Sequence, residues 1–411
     1  MTMGDDVSIR VAAADDWDAI HRLLSMAFHD VAEDEMRQVE GSVYEPERGL
    51  VATNGSAVVG HAAAYTRELT VPGAILPAAH VTLVSVAPTH RRRGILSRMI
   101  RRQLDDIAAG GREPIAVLWA SEGRIYPRYG YGLAAQRLTL SAKTRELALP
   151  GSPRDKSELR LVDPGQAVGE LTKLYEQLRA ERVGWSSRDD RWWRFVLADN
   201  ATLRRGATEL HGVVHDGPDG PTGYATWRTK GGWDDTGPTG RVQVHEVVAA
   251  DPETYASLWR FLFGIDLART LHATYLPVDD PLTHLVTEPR QLGTKLQDGL
   301  WIRIVDLPGA LAARRYAAEV DVVLDVTDGH FEANTGRWRL TGGPDGAACV
   351  PSGDPADLAC TSVELGAAYL GGTSLASLAA AGRVRELTPG ALNRASLAFG
   401  WHRMPAPLQI F

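Results

Sequence analysis

The chain has 411 residues, 44% hydrophobic and 23% charged, with 51 acidic against 44 basic side chains and a formal net charge of −7. That length exceeds one ordinary core and the balance is that of a soluble multidomain protein, while the acidic surplus argues against a general nucleic-acid binder. No run approaches the ~18 apolar residues of a membrane span, the acidic N-terminus is unlike a signal peptide, and two cysteines without ligand spacing (Cys349, Cys360) suit a reducing cytoplasm and no metal.

In chain order, residues 7–11 read as a strand. Asp15 and Asp16 then precede a helix with Trp17, Ile20, Leu23, Leu24 and Phe28 on one face. Residues 49–66 and 70–86 read as strands interrupted at Asn54-Gly55 and Pro72-Gly73. A helix is expected from about Arg92 to Ala109, stopped by Gly110-Gly111. The apolar run "PIAVLWAS" reads as a buried central strand.

The Pro/Ser-rich stretch 149–161 reads as a linker. Beyond it "ELHGVVHD", "PTGYATWRTK" and "GRVQVHEVVAA" read as strands. Asp251 and Pro252 signal a helix start as N-cap and first helical residue, and Gly264 its end. Further on, "VDVVLDVTD" and "GHFEANTGRWRLT" read as strands before an Ala/Leu/Gly-rich helical stretch, 365–399. Three segments result: 1–150, 151–297 and 298–411, all mixed α/β (α+β) in content.

Two stretches carry chemistry. In "VSVAPTHRRRGILSRMI" a strand runs into three arginines and then a helix. A helix start presents unpaired N–H groups that bind anions, and Gly94 permits close approach of a ligand. Read alone, the arginines are either a charged helix start in water or the rim of such a turn. Because arginine there opposes the helix dipole, an anionic ligand would offset a small cost. In "LWASEGRIYPRYGYG" a strand ends at Ser121-Glu122 and Tyr126 follows in a short turn. Tyr126 alone reads as a packing residue or as a proton donor.

Together "VSVAPTHRRRGIL", "ASEGRIYPRYGYG", "DGLWIRI", "YLGGTSLASLAAAGRV" and the apolar tail "APLQIF" resemble the Eis (enhanced intracellular survival) acetyltransferases of the GCN5-related N-acetyltransferase superfamily. The resemblance covers essentially the whole chain. It implies two tandem acetyltransferase-like (GNAT) domains followed by a sterol-carrier-protein-like domain, assembled as a homohexamer. It implies acetyl-CoA as cosubstrate and aminoglycoside amines as acceptors, at several positions, or alternatively lysines of proteins. A catalytically degenerate lipid-binding or interaction protein is the reading of another class.

By position, the resemblance puts acetyl-CoA on Val84, Ser85 and Val86, its pyrophosphate on Arg92, Arg93, Gly94, Ile95, Leu96 and Ser97, and further contacts at Ser121 and Glu122. Tyr126 would be the general acid and the free carboxylate of Phe411 the general base. Leu96 departs from the usual small residue, and Ile410 from the acidic residue some relatives carry. Asp30, in "FHDVAEDEM", is the candidate contact for a cationic acceptor. His211 and His215 in "HGVVH" have the i,i+4 spacing of a helical zinc pair, but the valines make it a strand, placing them about 13 Å apart.

Overall fold

The computed structural model describes residues 7–30, 33–149 and 158–411. Most of the expected linker, at 150–157, lies outside the described residues. The chain forms two compact units. The first holds the N-terminal residues to Ala135, Gly299–His402 and Ile410–Phe411; the second holds Gln136–Asp298 and Arg403–Gln409.

The first unit begins with β1 (Val7–Val11) and two helices, α1 (Trp17–Phe28) and α2 (Asp34–Val43). A meander follows: β2 (Gly49–Asn54), β3 (Ala57–Val71) and β4 (Ala74–Val86). Helix α3 (Ile95–Gly110) leads to β5 (Ile115–Trp119), and β6 (Gly132–Leu133) comes after the Tyr126 turn. The sheet order is β1-β2-β3-β4-β5, then the strand Leu300–Ile304, then β6. The apolar face of α3 (Ile95, Met99, Ile100, Leu104, Ile107) is buried, as its spacing dictates.

Helix α3 starts at Ile95 rather than Arg92. Arg92 and Gly94 both take left-handed backbone, φ 64° and 75°, so the helix cannot extend back through them.

The strand Leu300–Ile304 pairs antiparallel with β5 throughout. The residues after it form a five-stranded sheet with helices Leu307–Ala313, Ser362–Ala368, Leu375–Ala380 and Ala391–Phe399. The expected strand over "GHFEANTGRWRLT" begins only at Gly336, because Glu332–Asn334 close a 3₁₀ turn. The expected long helical stretch is three helices, the first two separated by the turn at Gly371-Gly372 and the last two by a segment that holds the short strand Arg385–Glu386. Helix Ser362–Ala368 lies against β6 so closely that a Cβ at Gly132 would sit 2.1 Å from the Val363 carbonyl and one at Gly366 2.5 Å from that of Ile302.

The second unit has its own seven-stranded sheet, including Gln136–Lys143, Gly220–Lys230, Gly240–Ala249 and Ala268–Leu276. Its helix Pro252–Phe263 starts at the expected N-cap: Asp251 accepts from the N–H groups of Glu253 and Thr254. A core built on Leu258, Trp259 and Leu262 joins this helix to the sheet. His211 and His215 lie on the strand His211–Gly217, where His211 rests on Trp227 and His215 bonds to Thr222. The chain crosses between units at Ala135/Gln136 and Asp298/Gly299, inside what the sequence groups as 1–150 and at the start of 298–411, and twice more in the tail, at His402/Arg403 and Gln409/Ile410.

Candidate active site

Strand β4 is the element that makes the site. Along β3 its register slips: His61 pairs with Ser85 but Ala63 with Thr82, so Leu83 and Val84 face Ala62 alone. Such a bulge bends and twists the strand carrying the extra residue. Leu83 takes φ 53° there, and its carbonyl accepts from Nδ1 of His61 at 2.9 Å. His61 is buried, which pulls its pKa down to about 4, so the ring is neutral with its hydrogen on Nδ1. Its Nε2 accepts from the Tyr44 hydroxyl at 3.1 Å.

On its other side β4 runs parallel to β5 only from Ala78–Ile115 to His80–Val117. Beyond that point the two strands part. The opening is a cleft of about 680 Å³, within the range of small-ligand sites. Val84, Ser85, Val86, Arg92, Gly94, Ile95, Leu96, Ser97, Ser121, Glu122 and Tyr126 all line it. Arg93 and Asp30 do not. Arg91, His90, Arg128 and Tyr129 also line it, with Ala27, Phe28 and His29 from the end of α1.

Of these, Arg91 is the first residue of the arginine run, whereas His90, Arg128 and Tyr129 carried no sequence signal of their own. Arg91 folds back so that its Nε donates to the Val86 carbonyl at 3.2 Å. Leu96, the departure from the usual pattern, packs its side chain against the core that holds Ile100, Leu104 and Tyr126. Its backbone N–H remains part of the helix start, so the larger side chain does not close the turn.

The cleft fits a long phosphorylated thioester. Helix α3 has no side-chain cap and no acidic residue in its first turn. Among the described residues, apart from its two chain neighbours, no atom stands within 4 Å of where a Gly94 Cβ would be. The hydroxyl of Ser85 is buried without a hydrogen-bond partner among the described residues. Since an L-residue in Gly94's conformation costs ~1–2 kcal/mol, Gly94→Ala is expected to raise the KM for acetyl-CoA several-fold, checked by steady-state CoA release.

Tyr126 opens a 3₁₀ turn, Tyr126–Tyr129, and is 5% exposed. Burial, and then the neighbouring Tyr129, push its pKa up to about 12, so it holds its proton throughout the neutral range. Tyr129 is fixed in turn by a 2.8 Å hydrogen bond to Ser97. Tyr131 meets Tyr126 edge-on with centroids 5.8 Å apart.

Phe411 reaches β4 just before the bulge: the Thr82 hydroxyl donates to a terminal oxygen at 2.8 Å, and the His80 ring meets the Phe411 ring at 4.6 Å. Asp30 is exposed at the end of α1. Sequence reasoning missed Glu40 on α2. Burial, and then the charge of Asp30, push its pKa up to about 7, and His21 Nε2 lies 3.5 Å away.

The second unit repeats the splayed-strand device with different chemistry. Gly240–Ala249 and Ala268–Leu276 run parallel only from Gly240–Ala268 to Gln243–His272. The cavity beyond, about 380 Å³, is lined by Tyr255, Asp280, Arg182 and residues of the segment 403–408. Here the helix start is already occupied by the Asp251 carboxylate, so it offers a pyrophosphate repulsion in place of free N–H groups.

Bulged central strand, splayed neighbour and open helix start define a GCN5-related N-acetyltransferase domain, a class that takes acetyl-CoA as cosubstrate. Models of the acetyltransferase (GNAT) domain match residues 8–134 and 184–304, and one of the sterol carrier protein domain matches 307–406. The chain is 35% identical to the N-acetyltransferase Eis of Mycobacterium tuberculosis over 94% of both proteins, and it belongs to the Eis family of N-acetyltransferases. It is 45% identical to an uncharacterized N-acetyltransferase of Streptomyces avermitilis over 95% of this chain and 96% of that one. Its fold matches crystalline Eis1 of Mycobacterium abscessus with a TM-score of 0.82 and 32% identity, over 98% of this chain and all of that one. Among the described residues no helix is long and apolar enough to cross a membrane.

Proposed function

We propose that this N-acetyltransferase acetylates amines of aminoglycosides by direct transfer at the β4–β5 cleft. The observation that carries this reading is the gathering of β4, the uncapped start of α3 and Tyr126 around one cleft, on the strand that also holds Phe411. Acetyl-CoA supplies the acetyl group as a thioester. Ser85 and the strand edge at Val84–Val86 hold its arm, while Gly94–Ser97 and Arg92 hold its pyrophosphate. N–H groups near Val86 donate to the developing oxyanion.

Tyr126, protonated through the neutral range, donates its proton to the leaving sulfur. The Phe411 carboxylate takes the proton of the attacking amine. With an ordinary pKa of ~3.5 it is a weak base, so it works through a water. Asp30 supplies negative charge for a polycationic acceptor. A homohexamer, expected from the resemblance, is part of the same reading; light scattering at a multiple other than six of the 44.6 kDa chain rejects it.

The wild-type chain is expected to release CoA with kanamycin or tobramycin, and Tyr126→Phe to lower kcat by ~10²-fold or more. Absence of turnover with every aminoglycoside, alongside acetylation of a lysine peptide, moves the acceptor to proteins. Because Asp251 fills the helix start of the second unit, calorimetry is expected to find one acetyl-CoA per chain. Two equivalent sites would contradict that.

A further inference from the structure

We propose that Thr82 and His80 are positioning residues for the Phe411 carboxylate, a role that rests on reading that carboxylate as the general base. The two side chains leave one face of β4, two residues apart, immediately before the bulge. Thr82 donates its hydroxyl to a terminal oxygen at 2.8 Å. The His80 ring stands edge-on to the Phe411 ring, 4.6 Å between centroids and 61° between planes.

Together they fix different freedoms. The ring contact holds the residue, and the hydroxyl sets rotation of the carboxylate about its last bond. One without the other leaves the base free to swing, and small misplacements of a reacting group cost large factors in rate.

The residue types bear this out. Thr82 is 8% exposed, between Val81 and Leu83 and opposite Ala63, where valine would pack equally well with the same β preference. A hydroxyl there answers a need that packing does not have. His80 is fully buried and its Nδ1 bonds to the Ala78 carbonyl at 2.9 Å, which can only accept, so the hydrogen is on Nδ1. Burial, and then the Arg67 charge, hold it well below its ordinary pKa. A neutral ring clamps the terminus without forming an ion pair that would consume the base.

The test is steady-state CoA release with acetyl-CoA and kanamycin, for wild type, Thr82→Val, Thr82→Ala, Thr82→Ser and a chain lacking Phe411. Thr82→Val and Thr82→Ala are expected to lower kcat about tenfold or more, with the acetyl-CoA KM within about twofold of wild type. Thr82→Ser, which keeps the hydroxyl, restores most of the loss. His80→Ala lowers kcat as well, and His80→Phe, which keeps an aromatic edge, recovers it.

Alanine suits this alanine-rich strand, so at least one hydroxyl-free variant is available to measure if valine disturbs folding. Wild-type kcat in a folded Thr82→Val or Thr82→Ala chain, with the chain lacking Phe411 inactive, overturns the positioning role and leaves the base role standing. Full activity of the chain lacking Phe411 overturns both. Loss in both hydroxyl-free variants without rescue by serine makes Thr82 a packing residue and also overturns the inference.

Discussion

A chain ending at Ile410 is expected to lose acetyl transfer by about two orders of magnitude or more while still binding acetyl-CoA. Chain ends normally fray, and this one is tied down. The Ala406 N–H donates to the Val183 carbonyl at 2.8 Å and the Met404 N–H to Asp279 at 2.9 Å, both within the second unit. Pro405 and Pro407 are buried, and Leu408 packs on the Tyr175–Trp185 core. Two prolines reduce the entropy lost when the segment orders.

Within this tail, Phe411 is the residue whose contacts to His80 and Thr82 place a carboxylate on β4. Truncation moves the carboxylate back by one residue, about 3.4 Å along an extended chain, and removes the ring that anchors it. Adding one glycine after Phe411 removes nothing and displaces the carboxylate forward by as much. The same loss of kcat is therefore expected, with the acetyl-CoA Kd unchanged by calorimetry. Undiminished turnover in the glycine-extended chain would show that the carboxylate takes no proton.

How far this site was legible differs from residue to residue. The cofactor turn was readable because strand, glycine and helix start follow one another within a dozen positions, so local rules suffice. That reading puts Arg92 and Arg93 on the pyrophosphate, whereas Arg91 and Arg92 line the cleft and Arg93 does not, the backbone turning left-handed at Arg92. Asp251 was legible as a helix cap, yet its consequence for the second unit needed the splayed strands beside it. Glu40 was invisible because its shifted proton affinity arises from burial and from Asp30, not from its sequence neighbours. Thr82 and His80 could not be found at all: their partner lies at the far end of the chain.

The largest expected effect on stability belongs to Asp328, another pairing no local pattern announces. Asp328 and Arg303 are both buried and bonded through both oxygens, at 2.6 and 2.7 Å. Arg303 also donates to Ser362 and stacks over Phe331, while Asp328 accepts from the N–H groups of His330 and Phe331 and from Asn334. Removing one partner strands a buried charge, so Asp328→Ala is expected to cost ~3–5 kcal/mol in thermal unfolding. Replacing both, as Arg303→Met with Asp328→Leu, is expected to recover much of that loss.

The pH dependence has a definite sign. Burial opposes ionisation of Asp328, but the Arg303 hydrogen bonds and charge outweigh it and hold the pKa at about 2, against ~3.9 in an unfolded chain. The ion pair therefore stabilises fully above pH ~4 and its contribution fades as pH falls toward 2. The gap in stability between wild type and Asp328→Asn is expected to narrow over that window, and a gap independent of pH would contradict the assignment. The effect reaches the active site, because Gly130, at φ 87°, lies so close that a Cβ there would be 2.6 Å from the Arg303 guanidinium. The turn that presents Tyr126 thus leans on this ion pair, and a chain with Asp328→Ala is expected to lose kcat in step with its stability.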